Sequence, residues 1–462
     1  CVSSTSLHTL AQQITDEERE ENIKLSELIE RFWHCEETLQ PKQLFTKEES
    51  QCEEYFTNNF KRTPSGRFIV KLPFKNNSCD LGSSYDIALK RFLNLEKRLE
   101  KDANVKNEYT KFIDEYKVLG HLEVIKSKEV QKINYYMPHH PVLRPESSST
   151  KLRVVFDASC KSSNNLSLND NLLVGPKIQP ELFDILIRFR SYKFVVTSDI
   201  AKMYRQILVD ESDCNFQLIL WRNSRQKPLQ TLRLKTVTYG TSSASFLAVR
   251  CLKVLADEYL NEFPLACNAI NENFYMDDLL GGANTENELF NLKTQITQLL
   301  NLGKFELHKW RSNNSNVIKN HSDDSLNISE EKSIKTLGVY WNSFGDHFHF
   351  NYDSVELSKI TKRTVLSELA QLFDPLGFLN PIIVLGKIFL QELWLLKVDW
   401  DESLPQSLNE RWLKYRDELK YITEIKFPRF IGNKCSNKIE LHGFSDASNR
   451  AYGCVIYARS KY

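Results

Sequence analysis

Two adjacent acids inside an apolar run, Phe274-Tyr275-Met276-Asp277-Asp278-Leu279-Leu280, are the strongest constraint in this chain. Like charges side by side repel each other, which raises the pKa of at least one carboxyl unless a cation sits between them. Nothing structural needs that pair in so apolar a setting; the bland alternative is a solvated turn. A third acid, Asp199, closes the short apolar strand that opens with Phe194-Val195-Val196. There a carboxylate can leave the core and face a cleft, although a lone acid at such a place is usually a cap or a surface residue. Together the three can hold two Mg²⁺ ions, with Mn²⁺ as a substitute. Two metals about 3.5–4 Å apart activate an attacking oxygen and stabilise a leaving one in phosphoryl transfer, and Mg²⁺ prefers carboxylate oxygens and substrate phosphates.

With 462 residues the chain is too long for one ordinary core, and three or four domains are expected. The net charge of +1 looks wrong for a partner of nucleic acid. Its distribution matters more than its sum. Residues 1–60 carry five basic and thirteen acidic side chains, so the remaining body is mildly basic and is the plausible electrostatic partner of phosphates. Ten cysteines occur without a CxxC pair or a Cys/His cluster, which argues against zinc and for reduced, mostly buried thiols. The most apolar stretch, Leu372 to Leu396, contains Asp374, Lys387 and Glu392 and reads as core helix rather than a membrane span. The chain begins at Cys1 and reads as a segment of a longer polypeptide.

Periodicity supplies the elements. Helices are expected over residues 16–37, 85–120 (ending at Gly120), 243–262 and 285–302, and through most of 355–425. Strands are expected at Phe68–Pro73, Leu152–Phe156 and Phe194–Asp199, and within Thr336–Phe350. Ala269 to Gly282 reads as a β-hairpin whose turn holds Asp277 and Asp278. Residues 311–333 are polar and expected to be mobile. Two strands of a new sheet, cut off by the chain end, are expected from Ile439 to Tyr457.

In their order these motifs resemble those of reverse transcriptases, and among them most closely the pol region of BEL/Pao-type LTR retrotransposons. Asp199-Ile200-Ala201-Lys202-Met203-Tyr204 is similar to the first metal motif and Tyr275-Met276-Asp277-Asp278 to the second. The resemblance implies Asp199, Asp277, Asp278 and the backbone carbonyl of Ile200 as metal ligands. It implies Tyr204 as the steric gate against a ribose 2′-OH. Lys151-Leu152-Arg153 resembles the fingers motif whose arginine contacts the incoming triphosphate, a task suited to a bidentate guanidinium. Tyr239-Gly240-Thr241-Ser242-Ser243-Ala244-Ser245 resembles the motif lining the templating base pair, with Ser245 where the family usually has proline. Within Gly303-Lys304-Phe305-Glu306-Leu307-His308-Lys309-Trp310, Lys309 is the candidate proton donor to pyrophosphate, with Lys304 as its competitor. Leu337 and Gly338 fall where the family has its primer grip.

Element-specific landmarks flank these motifs: Tyr136-Met137-Pro138-His139-His140-Pro141, Val155-Phe156-Asp157-Ala158-Ser159, Ser167-Leu168-Asn169-Asp170 and Phe373-Asp374-Pro375-Leu376-Gly377. The His139-His140 pair has no third ligand at metal spacing and reads as packed or hydrogen-bonded. Phe444-Ser445-Asp446-Ala447-Ser448 resembles the opening of a ribonuclease H domain, with Asp446 as its first metal ligand. The partner carboxylates are not in this chain, and no ribonuclease H activity is expected of it. The Asp-Thr/Ser-Gly loop of an aspartic protease is absent as well.

The implied architecture is α+β, a right-hand polymerase with fingers, a ferredoxin-like palm with helices on one face, and a helical thumb and connection, followed by a truncated RNase H-like sheet. The expected divisions are 1–120, an acidic linker and helical region; 121–342, fingers and palm; 343–438, thumb and connection; and 439–462, the start of RNase H. The implied activity is RNA-directed DNA synthesis from deoxynucleoside triphosphates on an RNA or DNA template-primer. Its other implied partners are further segments of the pol polyprotein, with no membrane. The implied location is a cytoplasmic retroelement particle, with the nucleus as a second compartment. The rival reading is a degenerate or domesticated copy that binds nucleic acid or assembles without catalysis.

Overall fold

The computed structural model describes residues 45–75, 81–126, 130, 134–143, 152–318, 334–352, 359–432 and 439–460. The helix expected at 16–37, Lys151 and residues 319–333 lie outside them. The chain divides into two units, Cys1–Lys47 and Glu48–Tyr462, and the second contains every element considered below. No helix among the described residues is long and apolar enough to cross a membrane.

The second unit is built around a four-stranded antiparallel sheet. Its elements in chain order are α1 (Leu182–Ser191), β1 (Phe194–Ile200), α2 (Ala244–Glu258), α3 (Pro264–Glu272), β2 (Phe274–Tyr275), β3 (Asp278–Ala283), α4 (Glu286–Leu302) and β4 (Leu307–Ser312). The strand order is β2-β3-β1-β4. Alternation along β1 and β3 sends Val196 and Leu279 into the main core, while Val195 and Leu280 join a second cluster with Ile185, Leu186 and Phe189 of α1. Helix α4 covers the first face with its stripe of Leu289, Leu292, Ile296 and Leu299. It starts at a capping box in which Thr285 Oγ1 accepts from the Glu288 amide and Glu288 returns the contact. The sheet therefore carries helices on both faces, not on one as the resemblance implies. Gly282 permits the close approach: a Cβ there would lie 2.6 Å from the Tyr192 side chain at the end of α1.

The helical part of the region expected over 1–120 contributes to the core. Helices Tyr85–Leu99 and Ala103–Val118 bury Phe92, Leu95, Tyr109 and Ile113 in the same cluster as β1 and β3. They are two helices because Asp102 caps the second, accepting from the Asn104 and Val105 amides at 3.0 Å. Beside them lie a three-stranded sheet (Leu122–Ile125, Gln230–Leu234, Leu218–Trp221) and the pair His139–Leu143 with Leu152–Phe156. His139 is buried between the Tyr109 hydroxyl and the Leu220 carbonyl, and burial lowers its pKa to about 4. His121, which accepts from Arg205 at 3.0 Å, is lowered to about 4, first by burial and then by that guanidinium.

Beyond the central sheet, strands Ile334–Thr336, Val339–Asn342, His347–His349 and Lys426–Pro428 form a second antiparallel sheet. It runs across the division expected at residue 342. Trp341 and Phe348 close over α1 and the Val195 face of β1. Arg429, fully buried, locks the junction: it donates to the carbonyls of Phe189, Tyr192 and Lys193 at the end of α1 and grips both oxygens of Asp346 at 2.6 and 2.8 Å. Helices Lys362–Gln371, Asn380–Leu395 and Gln406–Leu419 follow, packed around Phe389, Leu393 and Trp412. Strands Ile439–Ala447 and Tyr452–Ser460 form an antiparallel ribbon. Of the cysteines with described side chains, Cys52, Cys214, Cys251 and Cys267 are buried free thiols.

Two expectations follow for stability. Replacing Arg429 by Met removes the charge partner of Asp346, which keeps its contacts with Asn313 and Trp341, and the shared donor of three carbonyls; urea denaturation should show a loss of about 3–5 kcal/mol. His121 and His139 stay neutral in the folded chain but bind protons near pH 6.5 when unfolded. The unfolded state thus holds more protons between pH 6.5 and about 4, and stability falls as pH drops through that window, by up to about 3 kcal/mol for each histidine. A His139→Asn variant should flatten part of that slope in denaturation curves taken from pH 7 to pH 4.5.

Candidate functional site

The β2–β3 hairpin and the end of β1 bring the acids together. Tyr275 pairs with Asp278, so the turn is Met276-Asp277, and Asp278 is the first residue of β3 rather than part of the turn. Met276 holds φ +56°, a conformation that usually requires glycine and costs a bulky residue of order 1–3 kcal/mol. Asp278 lies directly opposite Asp199 in the β3–β1 register. Both carboxylates share the face of Val195 and Leu280, at the strand ends where the apolar cover stops. The Ile200 amide donates to the Asp277 carbonyl at 2.8 Å and fastens the turn to β1.

The electrostatics record this crowding. Burial, then the charges of Asp277 and Asp199, push Asp278 up to about 7. Asp277 is raised by burial and by Asp199, against the opposing pull of its own backbone hydrogen bond, Lys309 and Arg153. Its side chain is exposed at the turn, with enough protein around it for desolvation to be the leading cause of that rise. Asp199 is about a quarter exposed, with its Oδ1 buried and without a hydrogen-bond partner. Its Oδ2 accepts from Lys309 Nζ at 2.9 Å.

Lys309 reaches that position through a β-bulge. His308 pairs with Asp199 and Arg311 with Thr197, so Lys309 and Trp310 together face the single residue Ser198. A bulge of this kind re-aims a side chain. Trp310 packs into the main core, while Lys309, at φ +54°, turns to the acids. The Ser198 hydroxyl donates to the His308 carbonyl at 2.7 Å across the interrupted ladder. Sequence reasoning placed no role on Ser198, and nothing in Leu307-His308-Lys309-Trp310 signals the extra residue.

Of the remaining candidates, Arg153 and Tyr204 are coupled to Asp277 through its charge. Arg153 is exposed on its strand, and its charge acts on Asp277 and on Tyr239. Tyr204 follows the tight turn at Lys202 (φ +52°), and its phenol lies 3.3 Å from Ser245 Oγ. Burial, and more weakly the Asp277 charge, raise that phenol. Helix α2 begins at Ala244, with Ser245 at the position where the resemblance implies proline. Tyr239 donates to the Val154 carbonyl at 2.6 Å. Gly240 has φ +102°, and a Cβ would meet the Phe156 carbonyl oxygen at 2.3 Å. Asn169 clamps this loop, donating to the Gly240 carbonyl at 2.9 Å and accepting from the Ser242 amide at 2.8 Å. The sequence marked Asn169 only as part of a landmark. Leu337 and Gly338 form the turn between Ile334–Thr336 and Val339–Asn342, and Leu337 packs on the cluster that also takes in Tyr275.

Among the described residues, no three His, Cys, Asp or Glu side chains are gathered closely enough to hold a metal as they stand. The donor set still fits a hard divalent cation: carboxylates that repel one another, an unpartnered buried Asp199 oxygen, and an ammonium paired with the other oxygen of that residue. Asp446 is exposed on the separate ribbon, paired with Gly453.

Comparison with known proteins bears on the C-terminal part of the chain, outside this arrangement. No curated protein matches the chain. Residues 361–462 match a family model described as Pao retrotransposon-like RNaseH-like domain, a stretch that takes in the three helices from Lys362 to Leu419 as well as the ribbon. That match supports a Pao-type retrotransposon pol origin with an RNase H-like part.

Proposed function

We propose that this chain is an RNA-directed DNA polymerase of a Pao-type retroelement, extending a primer 3′-OH with deoxynucleotides on an RNA or DNA template. The observation that carries the reading is the register that sets Asp278 against Asp199 with Asp277 beside them, an arrangement that costs stability and serves no packing purpose. Asp199, Asp277 and Asp278 would hold two Mg²⁺ ions, with the Ile200 carbonyl as a further ligand; when bound, the metals would activate the 3′-oxygen and stabilise the leaving pyrophosphate. In this reading the central sheet is the palm. Arg153, whose charge acts on Asp277, binds phosphate oxygens. Tyr204 fills the space that a ribose 2′-OH would need. Tyr239 and Gly240, held by Asn169, shape the wall against the templating pair. Leu337 and Gly338 steady the primer end. Contacts with the duplex are chiefly to its backbone, because a polymerase must accept every sequence. Asp446 alone cannot hold two metals, so RNA cleavage is not part of the proposal.

Primer extension on an RNA template with Mg²⁺ and deoxynucleotides tests the reading. The parent should extend the primer, and Asp277→Asn should lose about two to three orders of magnitude in rate, or more. No extension by a folded parent that binds template-primer would favour the degenerate copy. A second test needs no turnover. With Asp278 raised to about 7, the folded chain keeps a proton that the unfolded chain sheds between pH 4 and 7, so metal-free stability falls as pH rises through that window. At pH 8, Asp278→Asn should therefore stabilise the metal-free protein by about 1–3 kcal/mol. It should also abolish a Mg²⁺-dependent rise in Tm that the parent shows.

A further inference from the structure

The bulge in β4 places a positive charge where regular alternation would not. His308 lies opposite Asp199, so in an unbroken strand Lys309 would point to the other face, toward α4. The extra residue hands that inner position to Trp310 and turns Lys309 onto Asp199 Oδ2 at 2.9 Å. The same ammonium acts favourably on Asp277 and Asp278. One lysine thus pairs with Asp199 and lends its charge to the other two acids, and its non-glycine φ of +54° is part of the arrangement. The Nζ contact takes one Asp199 oxygen and leaves Oδ1 buried and unpartnered.

Resting on the metal-site reading above, we infer that Lys309 is an internal counter-ion that occupies the carboxylate site before a divalent cation arrives and competes with that cation for it. The physics suits a replaceable occupant. Lys309 is more than half exposed, so its head returns to water on a flexible stem at little cost. An ion pair this open contributes little to stability. A divalent cation brings twice the charge to the same oxygens and meets the unpartnered Oδ1. Lys309 is then released beside the site and free to face an anionic phosphate. Its displacement makes metal loading and the arming of the proton donor one event.

Mn²⁺ binding to the full chain without nucleotide, counted from the loss of the free-ion EPR signal, tests this. Lys309→Met should bind Mn²⁺ about fivefold more tightly or better, because a unit charge in contact with the site is removed. Lys309→Arg should bind no more tightly than the parent. Lys304→Met, which removes a neighbouring charge that does not touch the acids, should match the parent. Unchanged or weaker binding by Lys309→Met, with binding lost in Asp278→Asn, overturns the counter-ion and leaves the metal site standing. Equal tightening by Lys304→Met overturns it too, since bulk charge would then be the cause. Absence of Mn²⁺ binding in the parent and in Lys309→Met alike overturns the metal site itself, and the counter-ion with it.

Discussion

Mutual repulsion among Asp199, Asp277 and Asp278 is the constraint to which the rest of the second unit answers. The three are held together by apolar packing they take no part in. Strands β1 and β3 are buried on both faces, Val196 and Leu279 against one set of helices and Val195 and Leu280 against the other. A register slip of one residue would send each of these side chains to the wrong face. The hydrophobic pattern therefore fixes the register, and the register brings Asp278 opposite Asp199 whatever the electrostatic cost. Around the acids the local exceptions accumulate: left-handed Met276, the bulge opposite Ser198, and left-handed Lys309. Strain concentrated at one place in an otherwise regular sheet is a common property of functional sites.

Much of this was legible because it is local. The strand Leu152–Phe156 and the helix Glu286–Leu302 agree with their expected spans, the helix within a residue, since β-branched runs and a Thr285/Glu288 capping box leave direct traces in sequence. The acids of the hairpin were visible as a pair, but their turn was misplaced by one residue because no glycine marks Met276. The break between the helices at 85–99 and 103–118 was missed although Asp102 is a good cap, because apolar periodicity continues across it.

What sequence could not show was long-range. Arg429 meets Asp346 across 83 residues and Phe189 across 240, and neither partner carries a local signal. The same applies to Asn169, whose grip on Gly240 joins two motifs that are far apart in the chain. The helical character of residues 85–120 is local and legible, but nothing local shows that these helices contribute Phe92, Tyr109 and Ile113 to the core shared with the central sheet.

The Arg429 junction also has a meaning in time. Chains emerge from the ribosome with the N-terminal end first. The strands carrying the acids, and the helix that shields their outer face, are complete by residue 283. The residues that finish that shield, Trp341, Phe348, Phe427 and the arginine that seals the end of α1, come much later. During synthesis the acid-bearing face waits, half dressed, for the stretch that ends at residue 429. A nascent chain cut between the two would present an exposed apolar surface beneath an already assembled cluster of charge.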